Sequence, residues 1–203
     1  MTPFILKETN LGISSYRIED QMLSDRKIIC VGSITADSVN SMILQIMHLE
    51  QEDPTKPITI YINSPGGEVT SGLALYDVMN AVSCPIHTVC VGMASSMGAL
   101  LFSAGDHRAM LPHSKLMIHD PLTRNIGGSA LEIQKLSNNL METRQIAAEI
   151  LVKHTGRTLE EIFEKTASDC YFTAEEAINF GLADTILKSL NEKPTIGKEN
   201  CYV

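Results

Sequence analysis

Short apolar segments alternate with amphipathic segments along the first half of the chain, and this alternation constrains the fold most. The apolar segments 26–31, 58–62 and 86–91 have the length and the β-branched content of buried strands. Each is followed by small residues and then by apolar residues at helical spacing. Apolar strands that alternate with helices form a sheet with helices on its faces. The sequence therefore predicts an α/β domain with a largely parallel sheet.

Two of the turns, 63–67 and 92–98, are where we expect functional groups. The first reads Asn-Ser-Pro-Gly-Gly and the second Gly-Met-Ala-Ser-Ser-Met-Gly. Sites in parallel sheets gather at the carboxyl ends of strands, and paired glycines let the backbone approach a ligand closely. In this interpretation the strand 86–91 ends before Gly92, which opens the turn. A helix then runs from Ser96 to about Ala104, and two short strands follow at about 108–111 and 115–118.

A long helix with a polar face is predicted from Gly128 to about Lys153. It is too long for a domain of this size to wrap, so we expect it to project and to pack against another subunit. Residues 191–203 are polar with Pro and Gly, which is typical of a loose tail. The apolar stripe of the long helix consists of Ile133, Leu136, Leu140, Ala147, Ile150 and Leu151. Two capping boxes are predicted to open short helices, Thr158 with Glu161 and Thr173 with Glu176.

Charge and cysteine content argue against several classes of function. The formal net charge is −8, so a nucleic acid is not an expected partner. No apolar run approaches the roughly 20 residues that cross a bilayer, so we expect no membrane association. The five cysteines are scattered without a CxxC pair, which is typical of free thiols in a reducing compartment. We expect a cytoplasmic protein without a bound metal.

Ser96 is the candidate nucleophile. A serine on a sharp strand-to-helix turn needs small residues two positions before and two positions after it. For Ser96 these are Ala94 and Gly98, whereas for Ser95 both are methionine. The spacing therefore selects Ser96, although a turn of small residues before a helix is also a common structural feature.

Among the six histidines, His119 is the first candidate for the base. It follows the predicted strand 115–118, so it lies on the same edge of the sheet as Ser96. His113 is the next choice. His48 lies on a helix face, and His154 lies near a helix end, where a positive charge would interact favourably with the helix dipole; we interpret both as structural.

The remaining parts of such a site are less constrained by the residues alone. Asp120 adjoins His119, but neighbouring residues on a strand point apart. Asp169, in a loop between two capped helices, is a second candidate for the orienting carboxylate. The N–H groups of Gly67 and Met97 could form an oxyanion hole, although the glycine pair could also be a simple loop.

Five ordered motifs make the chain resemble the ClpP family, the proteolytic subunits of the ATP-dependent Clp protease, from about Tyr16 to Leu187. The family's serine, histidine and aspartate fall on Ser96, His119 and Asp169. Its oxyanion donors fall on Gly67 and Met97. The motifs are the segments 62–67, 95–99, 117–122, 154–156 and 177–182.

The resemblance implies a crotonase/ClpP-like fold of repeated β-β-α units with a long protruding handle helix. It implies one domain over 1–203, with an axial segment at 1–18, a head plus handle at 19–190 and a flexible tail at 191–203. The implied function is a serine endopeptidase that cleaves unfolded polypeptides to short peptides in protein quality control. Extended substrate would pair with backbone near Glu68, Val69 and Thr70 on one side and Pro121 and Leu122 on the other.

The resemblance also implies partners. Members form heptameric rings that stack as a tetradecamer, with the handle packing ring against ring. An AAA+ unfoldase such as ClpX, ClpA or ClpC threads substrate through the axial pores. ATP is used by the unfoldase, so no cofactor is expected in this subunit.

The chain departs from the family pattern at several positions. Ser95 replaces a usual alanine, and Asp120 replaces a usual glutamine, which adds a negative charge next to His119 in the chain. Ser168 stands where many members carry an arginine that couples ring assembly to the site, and Ala167 often has a charged counterpart. The usually aromatic docking cleft for the unfoldase would lose its rings at Thr59, Ala81 and Ala109, with Tyr61 kept.

These departures lead to the hypothesis of a divergent paralogue that needs a second, more typical ClpP to assemble or to dock an unfoldase. Two other classes of function stay open at this point. One is a catalytically impaired ring subunit of a mixed assembly, and the other is a crotonase-fold enzyme acting on acyl-CoA thioesters. A Ser-Lys dyad through Lys115 is a more distant alternative.

Overall fold

The computed structural model describes residues 4–10, 12–123 and 126–190, and helices alternate with strands through most of these ranges. The helices are α1 (Ile18–Ser24), α2 (Ala36–Glu52), α3 (Val69–Ala81), α4 (Met97–Ser103), α5 (Ala130–Thr155), α6 (Leu159–Thr166) and α7 (Ala174–Phe180). The strands are β1 (Phe4–Thr9), β2 (Gly12–Arg17), β3 (Lys27–Val31), β4 (Ile58–Ser64), β5 (Ile86–Ser95), β6 (His107–Met110), β7 (Lys115–Ile118), β8 (Cys170–Phe172) and β9 (Thr185–Ile186).

The main sheet is largely parallel, which confirms the predicted α/β class. Its strands are ordered β3-β4-β5-β6-β9, and all of these neighbours are parallel. β7 pairs in parallel with β5 and antiparallel with β8. β1 and β2 form a separate antiparallel hairpin. The predicted tail, 191–203, lies outside the described residues.

The central strand β5 is longer than the sequence suggests, because it does not end at Gly92. Residues 87–90 pair with β6, and residues 93–95 pair with β7. Gly92 has φ +100°, and a Cβ there would lie 2.9 Å from the Asn63 side chain. The glycine therefore lets one strand bend and change partners where a turn was predicted. This bend carries the end of β5 towards β7.

One apolar core lies between the sheet and helices α2, α3 and α4. Every second residue of β4 points into it, and the inward side chains of α2 recur at helical spacing. Each fully buried aliphatic or aromatic side chain contributes about 1.5–3 kcal/mol to the free energy of unfolding. The largest buried side chains of this core include Ile28, Ile46, Leu49, Ile60, Leu75 and Phe102.

The long helix α5 is only half covered by its own domain. Its carboxyl-terminal part packs on the core through the buried residues Ala148, Ile150 and Leu151. Its amino-terminal part projects, and Leu131 and Ile133 are 78% and 40% exposed. The predicted apolar stripe is therefore divided between the core and an uncovered end. Within the described ranges, no helix is both long enough and apolar enough to cross a membrane.

The helix ends agree with the predicted caps. The Thr158 side chain accepts from the Glu161 N–H at 3.2 Å, and the Glu161 carboxylate accepts from the Thr158 N–H at 2.8 Å. Thr173 and Glu176 make the same reciprocal pair. Both capping boxes are confirmed, and they fix the entry of α6 and α7 on either side of β8.

His154 has a structural role, as predicted, but the prediction that its side chain is positively charged is wrong. Its Nε2 lies 3.0 Å from the Tyr76 hydroxyl, with the ring partly buried near the end of α5. Burial, followed by the positive charges of Lys153 and Arg108, lowers the pKa of His154 from 6.5 to about 4. The imidazole is therefore neutral at neutral pH, because desolvation outweighs the helix dipole here.

Acidification should destabilise the fold through this histidine. The unfolded chain takes up a proton at His154 as the pH falls below 6.5, whereas the folded chain resists until about pH 4. The stability is thus fully present above pH 6.5 and decreases below it. After allowance for partial exposure, we expect a loss on the order of 1 kcal/mol at pH 5 relative to pH 7.5.

Urea unfolding of the wild type and of His154→Gln at the two pH values measures this contribution. The variant should lose less stability on acidification than the wild type, while His48→Gln, a change at an exposed histidine, should behave as the wild type. Equal losses in all three proteins would contradict the assignment to His154.

Candidate active site

Ser96 lies on a strained turn between β5 and α4. Its backbone has φ 54° and ψ −123°, a conformation that costs an L-residue on the order of 1–3 kcal/mol. The Ser96 N–H donates to the Met117 carbonyl at 2.8 Å, which fixes the turn against β7. Ser95 is buried with only 4% exposure, whereas Ser96 is partly exposed. The turn therefore presents the hydroxyl of Ser96 and not that of Ser95.

His119 lies beside Ser96 because β7 is parallel to the last part of β5. Ser95 pairs with Met117, so the residue that follows β7 emerges next to the turn after β5. The Nε2 atom of His119 is 2.8 Å from the Ser96 Oγ. The alternative bases lie elsewhere. His113 is exposed before the amino end of β7, and Lys115 begins that strand.

Asp169 lies on the other side of the His119 ring. β8 runs antiparallel to β7 with Ile118 opposite Cys170, so the residue before β8 lies next to the residue after β7. The Oδ1 atom of Asp169 is 3.1 Å from the His119 Nδ1. This contact favours the tautomer with hydrogen on Nδ1, which leaves Nε2 free to accept the hydrogen of Ser96.

Two backbone N–H groups lie near Ser96, that of Gly67 in the loop at 64–67 and that of Met97 at the start of α4. The Ile34 N–H donates to the Gly66 carbonyl and the Glu68 N–H donates to the Ile34 carbonyl, both at 2.9 Å, so in this parallel bridge the Gly67 N–H points away from Ile34. Met97 is the first residue of α4, where the N–H has no partner within the helix. Among the described residues, neither the Gly67 nor the Met97 N–H has a hydrogen-bond acceptor.

Ser64 is a supporting residue that sequence analysis missed. It is fully buried, donates from Oγ to the Gly32 carbonyl at 2.6 Å and accepts from the Gly66 N–H at 3.1 Å. These bonds hold the glycine loop in place. The signal is present in the sequence, since Ser64 continues the inward alternation of Ile60 and Ile62 and is thus a buried polar residue.

A cleft of about 550 Å³ passes over Ser96, His119 and Asp169. Val69, Pro121 and Leu122 line it, whereas Glu68 and Thr70 do not. Glu68 is extended and caps α3, and Val69 and Thr70 belong to that helix. Helical backbone presents no strand edge. Pairing of extended substrate near Glu68, Val69 and Thr70 stays a prediction, with the helix starting at Val69.

Asp120 does not act as an isolated extra charge next to His119. Its Oδ2 atom accepts from the Arg144 Nε, and its Oδ1 atom accepts from the Thr166 hydroxyl, both at 2.6 Å. Asp120, which lies just after β7, is thus joined to α5 by an ion pair with Arg144 and to α6 by a hydrogen bond from Thr166.

A second cleft lies at Tyr61, one of the four positions where docking of an unfoldase is expected. A cleft of about 480 Å³ is lined by Tyr61 together with apolar residues that include Ile29, Val31, Val91 and Leu190. Thr59, Ala81 and Ala109 do not line it. The small side chains at these three positions therefore do not line this cleft, and the loss of docking rings stays a prediction.

Comparison with known families agrees with this geometry. The chain matches the family described as Clp protease over residues 10–190, which is most of its length and contains Ser96, His119 and Asp169. The expected resemblance is therefore confirmed over both the strained turn and the strands that bring the three side chains together. The chain belongs to the Clp protease family, whose members are peptidases.

Proposed function

We propose that this chain is a serine endopeptidase that cleaves unfolded polypeptides to short peptides. Ser96 is the nucleophile, His119 the general base and Asp169 the orienting carboxylate. The observation that carries the proposal is the continuous contact from Ser96 Oγ through both ring nitrogens of His119 to Asp169, at 2.8 and 3.1 Å. Nucleophile, base and orienting group within hydrogen-bond reach define this class of catalysis.

The reaction follows from the direction of these contacts. His119 Nε2 takes the proton of Ser96 as Oγ bonds to the peptide carbonyl carbon, and Asp169 stabilises the resulting imidazolium. His119 then gives the proton to the leaving nitrogen as the peptide bond breaks. His119 Nε2 then activates a water molecule, which hydrolyses the acyl ester and restores the Ser96 hydroxyl.

The charge that develops on the carbonyl oxygen is stabilised by the N–H groups of Gly67 and Met97. Both lack an acceptor among the described residues, so they can bind the oxyanion without first breaking another bond. Pre-oriented donors of this kind each contribute about 10²–10³-fold to kcat. Substrate lies in the cleft between Val69 on one side and Pro121 and Leu122 on the other.

The uncovered part of α5 supports assembly into a homo-oligomer. Leu131 and Met141 are 78% and 56% exposed on a helix that projects from its own core. Ile133 and Ile146 on the same helix are also exposed, and apolar side chains that together form a large exposed patch mark protein interfaces. We propose heptameric rings stacked as a tetradecamer through this helix, with or without a second ClpP paralogue. An ATP-dependent AAA+ unfoldase, docked on the cleft at Tyr61, would supply unfolded substrate.

Covalent labelling tests the proposed chemistry. A small fluorophosphonate should modify Ser96 in the intact protein, as located by peptide mass spectrometry, because only an activated serine reacts with it at a useful rate. Ser96→Ala should abolish labelling, and Ser95→Ala, at the buried neighbour, should retain it. An inert wild type would contradict the peptidase and favour a non-catalytic ring subunit or an acyl-CoA enzyme.

A further inference from the structure

A small, mostly apolar cavity extends from Ser96 into the domain. It has a volume of about 30 Å³, and it shares Val69, Ser96, His119 and Pro121 with the substrate cleft. Its remaining lining is apolar on the sides of α4 and α5 and polar where Asp120, Arg144 and Thr166 meet. The apolar lining residues are Met97, Leu100, Ile118, Ala147, Ala148 and Leu151.

Given the proposed function, the side chain of the residue that donates the cleaved carbonyl lies in the substrate cleft and turns its end towards the mouth of this cavity, which at about 30 Å³ is too small to enclose the whole side chain. That carbonyl carbon bonds to Ser96 Oγ, and its oxygen faces the N–H groups of Gly67 and Met97. The side chain is attached one carbon away, so it must enter the space closest to Ser96. The cavity has Ser96, Met97 and His119 in its wall, which meets this requirement.

The polar wall of the cavity is a fixed ion pair. The Asp120 carboxylate binds Arg144 and Thr166 at 2.6 Å each, and the Arg144 guanidinium stacks 3.8 Å above the Phe163 ring. The two charged side chains are only 30% and 24% exposed. Short contacts and partial burial hold both groups in place, unlike a typical surface pair. Opposite charges at this separation largely cancel at the cavity wall.

We infer that Asp120 and Arg144 determine specificity at this cavity by keeping a charged wall neutral. With both present, the cavity selects uncharged side chains. Without Asp120, the half-buried guanidinium is unpaired and attracts an acidic side chain. Without Arg144, the carboxylate is unpaired and attracts a basic one. The inference rests on the proposed function for the position of the substrate.

Peptidyl diphenyl phosphonates with leucine-, glutamate- and lysine-like side chains at the reacting position test this inference. The readout is the rate at which each probe modifies Ser96 in the full-length protein. In Asp120→Asn, the glutamate-to-leucine rate ratio should rise about 10-fold or more over wild type. In Arg144→Gln, the lysine-to-leucine ratio should rise by a similar factor.

Two further variants keep the test decisive. The double variant Asp120→Asn with Arg144→Gln has a neutral wall again and should return both ratios to within about 3-fold of wild type. Arg157→Gln is the matched control. Arg157 also stacks on a phenylalanine, 5.1 Å from Phe180, and pairs with Glu161 at 3.6 Å, but it lies away from the cavity. It should leave both ratios unchanged.

The outcomes separate the two proposals. Ratios that stay at the wild-type value in both single variants, while a small fluorophosphonate still labels Ser96, would overturn the specificity role alone. A wild type that the small fluorophosphonate does not label would overturn the proposed function, and the specificity role with it. Opposite shifts in the two single variants, cancelled in the double variant, would support the neutral-wall inference.

Discussion

Replacing His119 with alanine is expected to lower kcat for a short fluorogenic peptide by roughly 10⁶-fold, with a small effect on KM. The Nε2 atom of His119 is 2.8 Å from Ser96 Oγ, and among the described residues no other histidine forms a hydrogen bond with this hydroxyl. Asp169→Asn should cost less, roughly 10⁴-fold, because it stabilises the wrong tautomer without removing the base. Initial rates over a range of peptide concentrations separate kcat from KM.

His113→Ala is the matched control for this prediction. His113 is an exposed histidine before the other end of the same strand, so its loss should change kcat less than about 2-fold. The effects on kcat of substituting residues that act as a unit are also not additive. The double variant Ser96→Ala with His119→Ala should therefore be no slower than either single variant. A His119→Ala protein that keeps more than about a hundredth of the wild-type rate would contradict the assigned base.

Local sequence signals were sufficient for several of the elements and for the first candidate residue. The small residues around Ser96 indicated a sharp turn, and the structure places φ 54° there. The threonine and glutamate pairs located the starts of α6 and α7. Each of these features depends on residues within a few positions of one another, so the information is contained in a short segment.

Features that depend on the register between strands could not be predicted from local sequence signals. Asp169 adjoins His119 because β8 pairs antiparallel with β7, with Ile118 opposite Cys170. From the residues alone it was one carboxylate in a loop, and the family resemblance selected it. The extension of β5 past Gly92 has the same origin, since the strand continues only because β7 offers a new partner. Long-range pairing outweighs the local turn signal of a glycine.

Burial was the other source of error, and it acts through partners distant in sequence. In the sequence the charge of Asp120 stands next to His119, yet in the fold its carboxylate is bound by Arg144 and Thr166. His154 was assessed by its position near a helix end, yet burial keeps it neutral. In both cases the local electrostatic rule was sound, but a group brought in by the fold had the larger effect.

Gly66→Ala is expected to lower the free energy of unfolding by about 3 kcal/mol or more and to lower reactivity at Ser96 as well. Gly66 has φ +94°, where a side chain is strained. A Cβ at Gly66 would lie 2.6 Å from the Ser95 carbonyl oxygen and 2.8 Å from the Ser96 Cβ. Neither neighbour can move freely, because the Ser96 N–H is bound to Met117.

The close contact of Gly66 with Ser95 and Ser96 should therefore affect both stability and reactivity. Urea unfolding of Gly66→Ala measures the first, and fluorophosphonate labelling of Ser96 measures the second. Gly127→Ala is the matched control, since a Cβ there meets nothing within 4 Å and φ is not positive. It should match the wild type in both measurements. If Gly66→Ala remains folded in the absence of urea yet labels slowly, the loop positions the oxyanion donors against Ser96. Wild-type labelling in a destabilised variant would instead limit the role of this glycine to folding.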